Sequence, residues 1–214
     1  MTVLTSTPEL LSQLSQGPIK MGDLKKMAKE IKKDHALAME LWDSGEFYPR
    51  MLAVLIMDKK LIDQDLIDRL ANDLQTHNID QRVRITDWFL ANQLMKDNRL
   101  KALINIWEHA PSPVLRRLFW YQQGRLRWTG QTPPDNTTEL LKSLEKNLAT
   151  EEPEVQWAMN FTAGWIGVYD PEYRSQVVKL GEKVGLYKGD PVSRGCTPNY
   201  LPEFVEIEVG KRKA

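Results

Sequence analysis

The chain has 214 residues, 42% of them hydrophobic and 27% charged, which suits one packed domain of ordinary composition. Lys and Arg number 29, and Asp and Glu also number 29, so the formal charge is zero and a global field for nucleic acid is excluded. Any anion-binding surface has to come from local clustering. A single cysteine, Cys196, excludes an internal disulfide framework and a cysteine-rich zinc site. No apolar run approaches the ~20 residues of a membrane helix. The first thirty residues hold no basic stretch followed by an apolar core, so a soluble, cytoplasmic chain without a secretory leader is expected.

Helical periodicity dominates, with no convincing alternating strand. Asp23 is placed to cap a helix reaching about Lys33, with Leu24, Met27, Ala28 and Ile31 on one face. Asp34 starts the next, which carries Leu37, Leu41 and Trp42 and stops at Ser44-Gly45. Phe47 to Met57 is a short helix with Pro49 in its first turn, where a missing N–H is harmless. Asp63 begins a helix striped by Leu66, Ile67, Leu70 and Leu74. Asp80 to Lys96 carries Val83, Ile85, Phe89, Leu90 and Leu94, and Arg99 to His109 forms the next. Pro113 opens a helix through Leu126, followed by a Gly130–Pro134 loop. Asn136 and its neighbours cap a helix with Leu140, Leu141, Leu144 and Leu148. Pro153 starts a long apolar helix through Ile166, and Asp170-Pro171 starts the last, through Val184. After Gly185, Pro191, Pro198 and Pro202 mark an irregular tail.

Breaks of two to five residues make neighbouring helices antiparallel. Grouped in pairs (47–76, 82–109, 113–149 and 153–185), they recur at roughly thirty to forty residues, the period of HEAT and armadillo repeats. The expected fold is all-α: a right-handed α-solenoid of antiparallel helix pairs with a concave face. One domain over residues 1–185 and an irregular tail over 186–214, packed on the solenoid, are expected. A compact helical bundle is the alternative architecture.

Enzyme signatures are scarce. No strand precedes a glycine-rich phosphate loop. His35, His77 and His109 lack metal-ligand spacing, and Cys196 has no neighbouring His to activate it, so neither metal nor other cofactor is expected. The groove is then the working surface. Trp88, Asn92 and Lys96 follow at i, i+4 and i+8, so a ring, an amide and a cation share one stripe, with Arg82 and Arg84 earlier on the same helix. Arg116 and Arg117 stand in the first turns of the helix from Pro113, followed by Trp120, Tyr121, Arg125 and Arg127. Cations interleaved with rings suit a phosphate backbone with a base stacked beside it. The plainer alternatives are a solvated helix face for Arg117, a hydrogen bond to a neighbouring helix for Asn160, and core packing for most of the seven Trp.

Several stretches resemble the HEAT-like DNA alkylation repair proteins, the group of alkylpurine-DNA glycosylases, and in particular a shorter branch of it. Met27-Ala28-Lys29-Glu30-Ile31 with His35–Trp42 is similar to the family's opening helices, and Arg50-Met51-Leu52-Ala53 to its next helix. Gln156–Asn160 leading to Trp165-Ile166-Gly167 resembles the last repeat. Cys196-Thr197-Pro198, Tyr200-Leu201-Pro202 and Val209–Arg212 resemble the short branch's tail.

The resemblance implies removal of cationic N3- or N7-alkylated purines from double-stranded DNA by a groove that uses two Trp, an Asp and an Arg. It puts Trp88 at the first Trp and Arg117 at the Arg. Phe161 falls at the second Trp, with Trp165 one turn away as a substitute. Asn92 stands at the Asp. A fixed carboxylate there stabilises the oxocarbenium-like sugar left when a cationic base departs. At ~4 Å and an effective dielectric of about 20, the missing Coulomb attraction is on the order of 4 kcal/mol at most, or roughly a thousandfold in rate. Asp87 lies about 140° round the helix and does not replace it. Phe161 is also a weaker cation–π partner than Trp. Two readings follow. The first is a DNA-binding solenoid that is a weak, atypical or silent glycosylase, with Arg117, Arg84 and Lys96 on phosphates and Trp88, Phe161 and Trp165 at the damaged nucleotide. The second is a non-catalytic scaffold that holds a protein partner in its groove, which zero net charge favours.

Overall fold

The computed structural model describes residues 6–213. These form twelve α-helices joined by short turns, four of them single 3-10 turns, with no strand among the described residues. Two compact units result, divided between Ile106 and Trp107.

The first unit holds α1 (Thr7–Leu14), α2 (Met21–Ile31), α3 (His35–Asp43), α4 (Phe47–Ile56), α5 (Gln64–Asp73), α6 (Ile79–Asn92) and α7 (Asn98–Ile104). Side-chain caps set several starts. Asp34 accepts from the Leu37 N–H, Asp63 from Leu66 and Asp97 from Arg99. Asn78, not Asp80, caps α6 by accepting from the Gln81 N–H. Asp23 lies inside the first turn of α2, where its charge complements the helix dipole. The sequence reading missed α1, although Glu9 accepts from the Ser6 N–H three residues before it, a capping signature.

The inner helix of this unit is α4. It is buried from Pro49 through Val54 and packs on α1, α2, α3 and α6. The Asp34 N–H donates to the Ile56 carbonyl at 2.9 Å, which pins the start of α3 to the end of α4 and makes the two antiparallel. Buried Arg50 donates to the carbonyls of Trp42 (3.1 Å) and Asp73 (2.9 Å), tying off the C-terminal ends of α3 and α5.

The expected helix from Asp80 to Lys96 is broken. It ends at Asn92, and Gln93 leaves helical geometry at φ −121°, ψ −65°, before a 3-10 turn over Leu94–Lys96. The reason is local: the buried Gln93 amide turns back to donate to the Val54 and Met57 carbonyls at the end of α4. The next helix likewise stops at Ile104, short of His109.

The second unit holds α8 (Pro113–Trp128), α9 (Thr137–Asn147), α10 (Pro153–Tyr169), α11 (Arg174–Val184) and α12 (Leu201–Lys213). Here the inner helix is α10, packed against α8, α9, α11 and α12. Asn136 precedes α9 as expected, but its side chain makes no capping bond. Three glycines bring backbones close. A Cβ on Gly164 would lie 2.7 Å from the Phe204 ring, one on Gly167 2.9 Å from Val205, and one on Gly181 2.6 Å from Leu201.

Those last contacts correct the expected tail. Residues 201–213 are the helix α12, seated on α10 and α11 through buried Leu201 and Val205, and only the stretch before Tyr200 is irregular. The proline count misled because Pro202 falls in the first turn, where a missing N–H costs nothing. No helix among the described residues is long and apolar enough to cross a membrane.

Candidate nucleic-acid interface

The proposed residues fall in both units, which are described separately. In the first, Trp88 and Asn92 are half-buried and adjacent on α6. The Trp88 Nε1–H donates to the Met51 carbonyl at 3.1 Å, and the Lys25 ammonium lies 5.2 Å from the indole centre. The Asn92 Nδ2 donates to the Trp88 carbonyl one turn back, at 2.9 Å. That bond occupies the amide with its own helix. Exposed Lys96 leaves this stripe because α6 ends before it. Exposed Arg84 lies 4.9 Å over the Phe47 ring. With Tyr48, His77 and Gln81 it lines a surface cavity of about 480 Å³.

The second unit carries a denser arrangement. On α10, Trp157, Phe161, Trp165 and Tyr169 recur every four residues and line up in a row with centroids 5.4, 6.1 and 5.8 Å apart, Trp157 and Phe161 face to face, Phe161 and Trp165 edge to face, and Trp165 and Tyr169 tilted. Alongside, α8 supplies Tyr121, 5.8 Å from Trp157 and 5.2 Å from Phe161, and Trp128, 6.1 Å from Phe161 and 6.5 Å from Trp165. Rising numbers on α8 thus meet rising numbers on α10, so the two helices run parallel, with α9 making the return. Gly124, between Tyr121 and Trp128, is the reason Phe161 fits: a Cβ there would stand 2.5 Å from the phenyl ring.

Cations flank these rings. Arg125 lies 5.7 Å from the Tyr121 centre, and Arg212 of α12 lies 4.8 Å from Trp165 and 5.2 Å from Tyr169. Glu208 holds Arg212 at 2.8 Å and Lys211 at 2.8 Å, and accepts from Thr197. Burial raises the Glu208 carboxyl, but the bonds from Lys211, Thr197 and Arg212 outweigh it and hold it at about 2.

Two sequence-derived roles need correcting here. Arg117 is 2% exposed, donates to the Glu154 carbonyl at 2.7 Å and lies between the Tyr121 and Trp157 rings at 5.5 and 5.0 Å. It supports the row from within and is neither a phosphate contact in this conformation nor a solvated face. Trp165 is 5% exposed beneath Arg212 and forms the floor of the row, while Phe161 is half-buried within it. Asn160 makes a structural bond, but to the Asn199 carbonyl in the irregular stretch before α12 and not to a neighbouring helix. Arg127 is also buried, spending its guanidinium on Asp170, Gln123 and Thr137.

Sequence reasoning missed Trp128, Trp157, Tyr169 and Arg212. The signal was present: rings at 157, 161, 165 and 169 repeat at i, i+4, i+8 and i+12. It was read as general apolarity, because α10 is apolar on nearly every side.

The sequence model of the DNA alkylation repair enzymes matches residues 17–178, about three quarters of the chain. The chain belongs to the DNA alkylation repair family. The match ends within α11, so α12 lies beyond it. No curated protein matches the chain. Among solved structures it is similar to a member of a new family of proteins related to the HEAT-like repeat DNA glycosylases, with affinity for branched DNA structures. The TM-score is 0.67 at 16% identity, covering 96% of this chain and 88% of that one. The expected HEAT-like fold is thus present.

Proposed function

We propose that this member of the family binds DNA and is at most a feeble alkylpurine glycosylase. The observation that carries the second half is Asn92. It places an amide, already donating to the Trp88 carbonyl, at the position where the resemblance calls for a carboxylate. A neutral amide offers a departing cationic base only a dipole, so the selective stabilisation of the transition state is lost. Support for the first half comes from family membership, from the related structure's affinity for branched DNA, and from cations that face solvent beside rings. In this reading Arg84 and Lys96 of the first unit meet phosphates with Trp88 beside the strand, and in the second unit Phe161, edge to face with Trp165, lies beside a nucleotide. Arg117 acts indirectly, by holding Tyr121 and Trp157.

Two measurements test it. Anisotropy titrations at two salt concentrations should show affinity falling steeply with salt, as phosphate neutralisation releases counterions. Salt-independent affinity would count against DNA as the ligand. Release of 7-methylguanine from alkylated DNA should be near background for the parent chain and measurably higher for Asn92→Asp. That variant should lose about 0.5–1.5 kcal/mol of stability, since a carboxylate cannot donate to the Trp88 carbonyl and sits at the unfavourable C-terminal end of α6. Robust release by the parent would show the carboxylate to be dispensable.

A further inference from the structure

We infer that the ring row of the second unit is a platform for unpaired nucleobases, with Arg125 and Arg212 placed for the flanking phosphates. This deepens the DNA-binding reading and rests on it, by naming the form of DNA that this surface takes.

Stacking needs ring surface open to solvent, and part of the row has it. Trp128 is 47% exposed and Tyr169 39%, and Tyr121, Trp157 and Phe161 are half-buried. The spacing selects the state of the strand. Successive rings on α10 lie 5.4 to 6.1 Å apart, one per helical turn, whereas bases stacked in a duplex step by ~3.4 Å. Neighbouring bases reach neighbouring rings only when drawn apart from each other. A paired duplex also hides its base faces and shows a side chain only edges and phosphates.

Charge favours a nucleic acid over an apolar protein segment. Arg125 has its guanidinium beside Tyr121, and the Lys211–Arg212–Glu208 group keeps one net positive charge at the other end of the row. A further observation points to a ligand with acceptors. Among the described residues the buried indole N–H of Trp165 finds no hydrogen-bond partner, a costly state for a strong donor. Nucleobase carbonyls and ring nitrogens, and phosphate oxygens, are all acceptors. Arg212 comes from α12, outside the segment that matches the family model, so the C-terminal helix is part of this surface and not mere padding.

The test uses the full chain with two fluorescent probes of equal length, a blunt duplex and the same duplex interrupted by a short single-stranded gap. The gapped probe should bind more tightly and quench tryptophan emission. Trp128→Ala should weaken gapped DNA about five- to a hundredfold, with duplex affinity within twofold and Trp128→Phe restoring most of the loss. Arg212→Gln gives an independent check through a shallower salt dependence on gapped DNA alone. Equal effects of Trp128→Ala on both probes, or none on either, with circular dichroism unchanged, would overturn the platform while leaving DNA binding intact. Failure of the parent chain to bind either probe would overturn the DNA-binding reading itself, and a protein ligand for the row would then be the one to seek.

Discussion

The two compact units place their tryptophans by different means. In the first, each identified indole is held by its N–H: Trp42 donates to Asp73 at 3.0 Å and Trp88 to the Met51 carbonyl. In the second, Trp128, Trp157 and Trp165 are held by ring faces and by guanidinium groups. A ring anchored by a directional bond keeps a fixed position. Rings held by other rings and by cations, of which Trp128 and Trp157 keep solvent access, can also accept a further flat partner. Arginine divides within each unit and not between them: Arg50 and Arg117 are buried beside rings and donate to backbone carbonyls, whereas Arg84 and Arg125 lie across rings with more solvent access.

The largest expected break in that comparison is Arg117→Ala. It removes a charged donor from the Glu154 carbonyl and the packing between Tyr121 and Trp157 together, so a loss of about 2–4 kcal/mol in chemical denaturation is expected. A change within the noise of a surface substitution would return Arg117 to the list of direct phosphate contacts.

Acid should act on the second unit through Glu208. Its folded carboxyl sits at about 2 against an ordinary 4.5, so its contribution is fully present above the ordinary value. That contribution disappears as pH falls from about 4.5 towards 2. At about 1.4 kcal/mol per pH unit the difference amounts to about 3 kcal/mol, which solvent screening of the partly exposed Lys211 and Arg212 cuts to on the order of 2 kcal/mol. Thermal melts from pH 5 to pH 2.5 should fall less steeply for Glu208→Gln than for the parent. Identical slopes would mean that Glu208, through its bond from Thr197 and its hold on Arg212, does not anchor α12.

Gly124→Ala comes next. The new methyl would stand 2.5 Å from a Phe161 ring that Tyr121, Trp128, Trp157 and Trp165 already enclose. Crowding should cost about 1–3 kcal/mol, offset by nearly 1 kcal/mol of helix propensity, for a small net loss. The sharper reading is near-ultraviolet circular dichroism, where a displaced ring row would change the aromatic bands.

How much of this was legible beforehand follows the range of the interactions. Helix starts at Asp34 and Asp63 rest on bonds three residues long, and that at Pro113 on the fixed φ of a first-turn proline, and the sequence displays all three. The end of α6 depends on Gln93 reaching the end of α4, thirty-six to thirty-nine residues away, and no local window contains that. The burial of Arg117 is of the same kind, since its acceptor is the Glu154 carbonyl on another helix. α12 was masked by reading prolines as breakers without asking which position in the helix each would take. Asn92, by contrast, stood out because a single residue type carries or lacks a charge.

The smallest expected effect on folding is the most informative for binding. Arg84 is exposed on α6 and only covers Phe47, so Arg84→Ala should change stability by no more than about 0.5 kcal/mol. If Arg84 meets a phosphate, the same substitution lowers the slope of log affinity against log salt by about one, uniformly across DNA sequences and forms. Trp128→Ala should act differently, weakening the gapped probe and leaving the slope unchanged, because stacking releases few counterions. Running the two variants side by side therefore separates a charge contact in the first unit from a ring contact in the second, without either result depending on how stable the variants are.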